Sequence, residues 1–94
     1  MIQLEGNSLR ISGAMTLREA TALLADGCTA LRQGATVFDL SAVETVDSSA
    51  IAVVFGWLRA ARAGGGNMRI EHPPQDFLSL AEVYGVVELL PLDY

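Results

Sequence analysis

Apolar and polar residues alternate in Ile2-Gln3-Leu4 and again in Leu9-Arg10-Ile11, with Gly6-Asn7-Ser8 between them. Period-two alternation around a glycine-bearing turn predicts a short antiparallel hairpin. The period then changes. Thr16 and Glu19 are spaced as a capping box, and Leu17, Ala20, Leu24, Cys28 and Leu31 follow at helical intervals. A first helix is therefore expected from Thr16, with those five residues as its buried stripe and Gly34 as its terminator. Thr36-Val37-Phe38-Asp39-Leu40 is β-branched and aromatic, which predicts a central strand, and Ser41 to Val46 is read as a turn.

Asp47-Ser48-Ser49 has the composition of a helix N-terminus, and the helix it opens is expected to run to about Ala63, before Gly64-Gly65-Gly66-Asn67. Met68 to Glu71 predicts another strand. Pro73-Pro74 then starts a third helix, with Phe77, Leu80, Ala81 and Tyr84 on one face, and Gly85 ends it. Val86 to Leu90 is expected to be a last short strand. Strands alternating with helices after a hairpin define an α/β fold: a mixed sheet with parallel crossovers and flanking helices.

The second helix carries more apolar surface than one contact requires. Ile51, Val54, Phe55 and Leu58 form one face, while Ala50, Val53 and Trp57 lie on another. A helix on a sheet needs one apolar stripe. The second stripe either packs beneath a neighbouring helix or meets another protein, in which case Trp57 is the natural anchor.

Composition narrows the function. The chain has 94 residues, enough for one domain spanning residues 1–94. It is 51% hydrophobic and 18% charged, which leaves room for an uncovered apolar patch and for a weak homodimer. Eleven acidic against six basic residues give a net charge of −5, which opposes binding to nucleic acid or anionic lipid. Cys28 is the only cysteine, so no disulfide framework forms within the chain. Nothing resembles a signal peptide, and the longest apolar run, Ala50 to Leu58, is too short to span a bilayer. A cytoplasmic protein is expected, without direct membrane insertion, unless a partner tethers it to a membrane.

Catalytic machinery is not visible. His72 is the only histidine, no Cys/His cluster suggests zinc, and no cofactor motif is present. The three glycines follow a helix and precede a strand, the reverse of a phosphate-binding loop. Asp39 is read as a strand-end cap more readily than as a ligand-binding residue. Ser48 remains open between two roles: part of a good capping sequence, or a phosphorylation or docking position at an exposed helix mouth.

Val37-Phe38-Asp39-Leu40-Ser41, Val46-Asp47-Ser48-Ser49-Ala50-Ile51-Ala52, the glycine turn with Asn67, and the tail from Leu80 to Pro91 together resemble the STAS domain family. The resemblance covers nearly the whole chain. The short acidic sequence and its Leu-Ala-x-x-Tyr…Leu-Pro ending look most like the MlaB branch. Those proteins are cytoplasmic, non-catalytic subunits that bind the ATPase of an ABC transporter moving phospholipid to maintain outer-membrane asymmetry. The other branch comprises anti-sigma factor antagonists that bind a kinase and are phosphorylated on the serine after the aspartate, a position that maps onto Ser48. The resemblance thus implies a partner surface, set here at Asp47, Ser48, Ser49, Ile51, Val54, Trp57 and Leu58, with no cofactor and no metal. Two departures are plain. Gly13-Ala14-Met15-Thr16 lacks both acidic residues of the family's Gly-Glu-Leu-Asp loop, which helps recognise the kinase, and Ala50 replaces the usual glycine after the serines.

Overall fold

The computed structural model describes residues 2–93. Strand β1 (Ile2–Glu5) turns through Gly6 and Asn7 into β2 (Ser8–Met15), with Glu5 opposite Ser8. Gly6 has φ +60°, a value glycine adopts freely and one that suits a two-residue hairpin turn. The order then runs α1 (Ala20–Arg32), β3 (Val37–Val46), α2 (Ser48–Ala63), β4 (Arg69–Glu71), α3 (Gln75–Val83), a 3-10 turn at Val87–Leu89, and β5 (Leu92–Asp93). The five strands lie in sequence order across one sheet. Only the β1–β2 pairing is antiparallel.

Every crossover steps the same way across the sheet, so the right-handed rule puts all three helices on one face. The register agrees. Leu4, Leu9, Phe38, Ile70 and Leu92 stand side by side across the five strands, and all five join the core or pack against it. The adjacent row is Gln3, Arg10, Asp39, Glu71 and Asp93, a polar row on the face without helices. One apolar cluster fills the space between sheet and helices, with Trp57, Phe38, Phe77, Leu9, Ile11, Met15, Leu40 and Ile70 as its largest fully buried side chains.

Several elements differ from their sequence-based expectations. β3 does not end at Leu40. The segment read as a turn continues as strand to Val46 because β2 also runs on to Met15, giving Ala42, Val43, Thr45 and Val46 a parallel partner. Regular α1 begins at Ala20, not Thr16, because residues 17–19 form a turn. Half of the capping box is present within that turn: the Glu19 carboxylate accepts from the Thr16 amide at 3.1 Å and also from the Thr16 hydroxyl.

The buried stripe of α1 is Leu23, Gly27 and Ala30, one position behind the expected set. Leu17 is 75% exposed and Leu24 38%, while Ala20, Cys28 and Leu31 are half-buried. The stripe follows what α1 rests on, which is the bulk of Trp57 filling the space over Gly27. Gly34 closes α1 with φ +100°, as expected. On α3, Phe77 and Ala81 are buried and Leu80 half-buried, but Tyr84 turns outward. The last expected strand, Val86 to Leu90, is instead mainly the 3-10 turn, and β5 lies beyond Pro91. Proline has no N–H to donate, but its carbonyl accepts from Ile70 at 2.7 Å and so starts the pairing with β4.

Candidate functional site

Asp47 sits in an extended conformation between β3 and α2 and holds two segments with one carboxylate. Its Oδ1 accepts from the Ser49 amide at 2.8 Å, which caps α2 as the sequence predicts. Its Oδ2 accepts from the Leu17 amide at 3.0 Å, which ties down the turn between β2 and α1. The Asp47 amide donates to the Met15 carbonyl at 3.3 Å, carrying the β2–β3 ladder one step further. The Leu17 amide, joined by the Ser49 amide and hydroxyl, holds the Asp47 carboxyl below the usual carboxylate range against a smaller upward push from desolvation.

Ser48 is the first residue of α2 and is exposed, while Asp47 and Ser49 on either side of it are half-buried. The Ser48 hydroxyl has no hydrogen-bond partner among the described residues. The solvent face of α2 continues from it as Ala52, the half-buried Phe55 and Arg59. Leu17, tethered to Asp47, exposes three quarters of its surface at the same end of the molecule. Ser48 thus lies on a partly apolar surface at a helix N-terminus, with the Asp47 carboxylate held by two backbone amides.

Four of the residues expected at a partner surface belong to the core instead. Ile51 is 7% exposed, Leu58 4%, and Val54 and Trp57 are fully buried. Trp57 Nε1 donates to the Leu23 carbonyl at 3.0 Å, and its ring lies 4.6 Å from that of Phe38. The second apolar stripe of α2 is therefore covered by α1, and the anchor assigned to a partner is an internal one. Asp47, Ser48 and Ser49 remain at the surface. Leu17, Ala52 and Phe55 join them, and sequence reasoning placed none of these at a surface. The signal for the last two was available: Ser48, Ala52, Phe55 and Arg59 follow at i, i+4, i+7 and i+11, a third direction on the helix.

Asp39 does not join this site. It faces the open side of the sheet, and roughly 23 Å of strand separates it from Val46. Its Oδ1 accepts from the Ser41 amide at 2.9 Å and lies 3.2 Å from His72 Nδ1. Burial pushes this carboxyl up, but Ser41 and His72 together outweigh it and leave Asp39 below the usual range. These contacts fit a capping role, and the only histidine is bound up in them. Among the described residues, no group of three or more His, Cys, Asp and Glu side chains is arranged to hold a metal ion. No described helix is long and apolar enough to cross a membrane.

A sheet with an N-terminal antiparallel hairpin, three helices on one face and a capped serine at the mouth of the central helix defines a STAS-type domain. Residues 1–91 match the family model described as "Mlab, STAS domain", and the chain belongs to that family. Solved structures share the fold. The anti-sigma factor antagonist SpoIIAA in its unphosphorylated form superposes with TM-score 0.69 at 19% identity, covering 100% of this chain and 86% of that one. A putative anti-sigma factor antagonist from Thermotoga maritima gives TM-score 0.77 at 15% identity, again covering 100% and 86%. The Bacillus cell fate determinant SpoIIAA in its phosphorylated form gives 0.66 at 16%, covering 100% and 90%. No curated protein matches the chain in sequence.

Proposed function

We propose that this chain is a non-catalytic, MlaB-like subunit that binds and supports the ATPase of an ABC phospholipid transporter, with its contact surface centred on Ser48. The family match over residues 1–91, to a model described by the MlaB name, carries this reading. The site fits it. An exposed serine beside Leu17, Ala52 and Phe55, on a helix whose other faces are covered, offers a partly apolar patch for another protein. The reading places the protein in the cytoplasm, at the inner membrane through its partner.

The test is affinity purification of the tagged protein from its own cells, with recovery of an ABC-transporter ATPase read by mass spectrometry, for the wild type, Leu17→Ser and Ser48→Glu. Both substitutions lie at the surface, so both variants are expected to fold, and each is expected to weaken the complex about tenfold or more. Full retention of the ATPase by both folded variants refutes this placement of the contact.

A second reading rests on the likeness to SpoIIAA in its unphosphorylated and phosphorylated forms: an anti-sigma factor antagonist switched by phosphorylation of Ser48. The exposed, unpartnered hydroxyl is accessible to a kinase. Against it stands the Gly13-Ala14-Met15-Thr16 segment, which lacks the acidic pair that helps recognise the kinase. Incubation with an anti-sigma kinase from the same cells and ATP separates the readings. One added phosphate, lost in Ser48→Ala, supports the antagonist, and an unchanged mass supports the transporter subunit.

A further inference from the structure

The charges are segregated along the chain. Residues 48–70 contain Arg59, Arg62 and Arg69 and no acidic residue, whereas residues 71–93 contain Glu71, Asp76, Glu82, Glu88 and Asp93 and no Lys or Arg. Arg69 pairs with Glu71 at 3.3 Å and with Asp93 at 3.1 Å, which satisfies two of these carboxylates. Asp76, Glu82 and Glu88 are exposed and have no ion pair or hydrogen bond among the described residues. Three of the five large exposed hydrophobic side chains among the described residues lie within the same short stretch: Val83 at 80%, Tyr84 at 56% and Leu89 at 63%. Asp76, Glu82 and Val83 share the solvent side of α3 at i, i+6 and i+7, and the turn at Gly85 folds the 3-10 turn that carries Leu89 back against that helix.

We infer that the C-terminal end of α3 and the 3-10 turn after it form a second docking surface, which binds a cationic amphipathic helix of a partner protein. Apolar side chains exposed this far have reason to be covered, and unpaired carboxylates around them select the cover by charge. Lys or Arg flanking an apolar helical stripe complements both features at once. An anionic membrane is repelled by the same carboxylates. A symmetric second copy brings this acidic patch against the same acidic patch, which is unfavourable. The surface is separate from the Ser48 contact. α3 runs parallel to α2, so its C-terminal end lies toward the opposite end of the domain from Ser48, and a 16-residue α2 is about 24 Å long. This inference does not depend on which partner Ser48 meets.

The experiment is an NMR titration of the isotopically labelled full chain. The probe is a short synthetic helical peptide with Leu at i, i+3, i+4 and i+7 and Lys on the flanks. The expected result is amide shift changes concentrated at residues 82–89. Affinity should fall about tenfold or more in Glu82→Lys/Glu88→Lys and in Val83→Ser/Leu89→Ser. A matched peptide with Glu in place of Lys should not bind. All four substitutions are at exposed positions, and unchanged thermal unfolding confirms that the variants fold. The inference is overturned if the shifts scatter over other acidic positions such as Asp26 and Glu44, or if the charge-reversed variant binds equally well. It is also overturned if residues 82–89 respond to protein concentration, which assigns the surface to self-association, or to phosphatidylglycerol vesicles, which assigns it to lipid. None of these outcomes bears on co-purification through Ser48.

Discussion

At the scale of single residues, the tightest constraint in the molecule is the fit of Trp57 against Gly27. A Cβ added at Gly27 would lie 2.0 Å from Trp57 Nε1 and 2.4 Å from Cε2. The ring cannot yield easily, because it is fully buried, packed at a tilt against Phe38 and hydrogen-bonded to the Leu23 carbonyl. One methyl group therefore has to push α1 away from α2 or break that hydrogen bond. Gly27→Ala is expected to destabilise the domain by about 2–3 kcal/mol, despite the better helix propensity of alanine. Urea unfolding measures it, and a variant as stable as wild type would show that the two helices can separate at little cost. The same pair explains a misreading of the sequence. An indole on a helix face looks like an interface anchor until it is known that a glycine on another helix leaves it a slot.

At the scale of elements, Asp47 joins α2 to the β2–α1 turn, and its contribution depends on ionisation. Its partners, the Leu17 and Ser49 amides and the Ser49 hydroxyl, are all donors, so the charged form is the one stabilised. Its folded-state pKa lies below the ordinary Asp value of 3.8, so the contribution is complete above that value and disappears as pH falls through the lower, folded-state value. Asp47→Asn retains one acceptor but lacks the charge, so it is expected to be less stable than wild type at neutral pH. The gap should narrow as the solution is acidified below the ordinary Asp range. Denaturant unfolding at several pH values tests this, and a gap that stays constant in acid assigns the loss to packing instead of charge. The Asp47 cap was legible because capping is local: side-chain type and a spacing of two residues determine it. The hairpin and the end of α1 at Gly34 were legible for the same reason. The length of β3, the buried face of α1 and the covering of α2 were not, because each depends on an element distant in sequence. Val43 and Val46 form strand only because β2 reaches Gly13 to Met15, and no local signal in residues 41–46 states that.

At the scale of the whole molecule, the sheet is unevenly supported. β2 and β3 are eight and ten residues long and pair along most of that length, beneath α1 and α2. β4 and β5 are three and two residues long, and their pairing involves only Ile70 with Leu92 and Glu71 with Asp93. The apolar core is correspondingly centred on Leu9, Ile11, Phe38, Leu40 and Trp57, while Leu92 only packs against its margin. The domain is therefore expected to divide into a firm half built from β2, β3 and α2 and a weaker edge built from the 3-10 turn and β5, with α3 anchored between them by the buried Phe77 and Ala81. Local opening needs little free energy where few buried apolar contacts and few ladder hydrogen bonds must be broken. Amide hydrogen exchange is expected to follow this division: Leu9, Ile11, Phe38 and Leu40 exchange only by global unfolding, while Leu89, Leu90 and Leu92 exchange through smaller openings and far sooner. If the edge instead exchanges at the global rate, the domain is a single cooperative unit and the short β5 pairing is stronger than its length suggests. Ser48 lies on the firm half, where Asp47 fixes its backbone, so a partner meeting it there finds a surface already in place. The acidic edge lies on the weaker half, where binding can order what is loose. A partner helix docked on Val83, Tyr84 and Leu89 should therefore slow exchange at Leu89 to Leu92 and leave β3 unchanged, a pattern that general stabilisation of the fold would not produce.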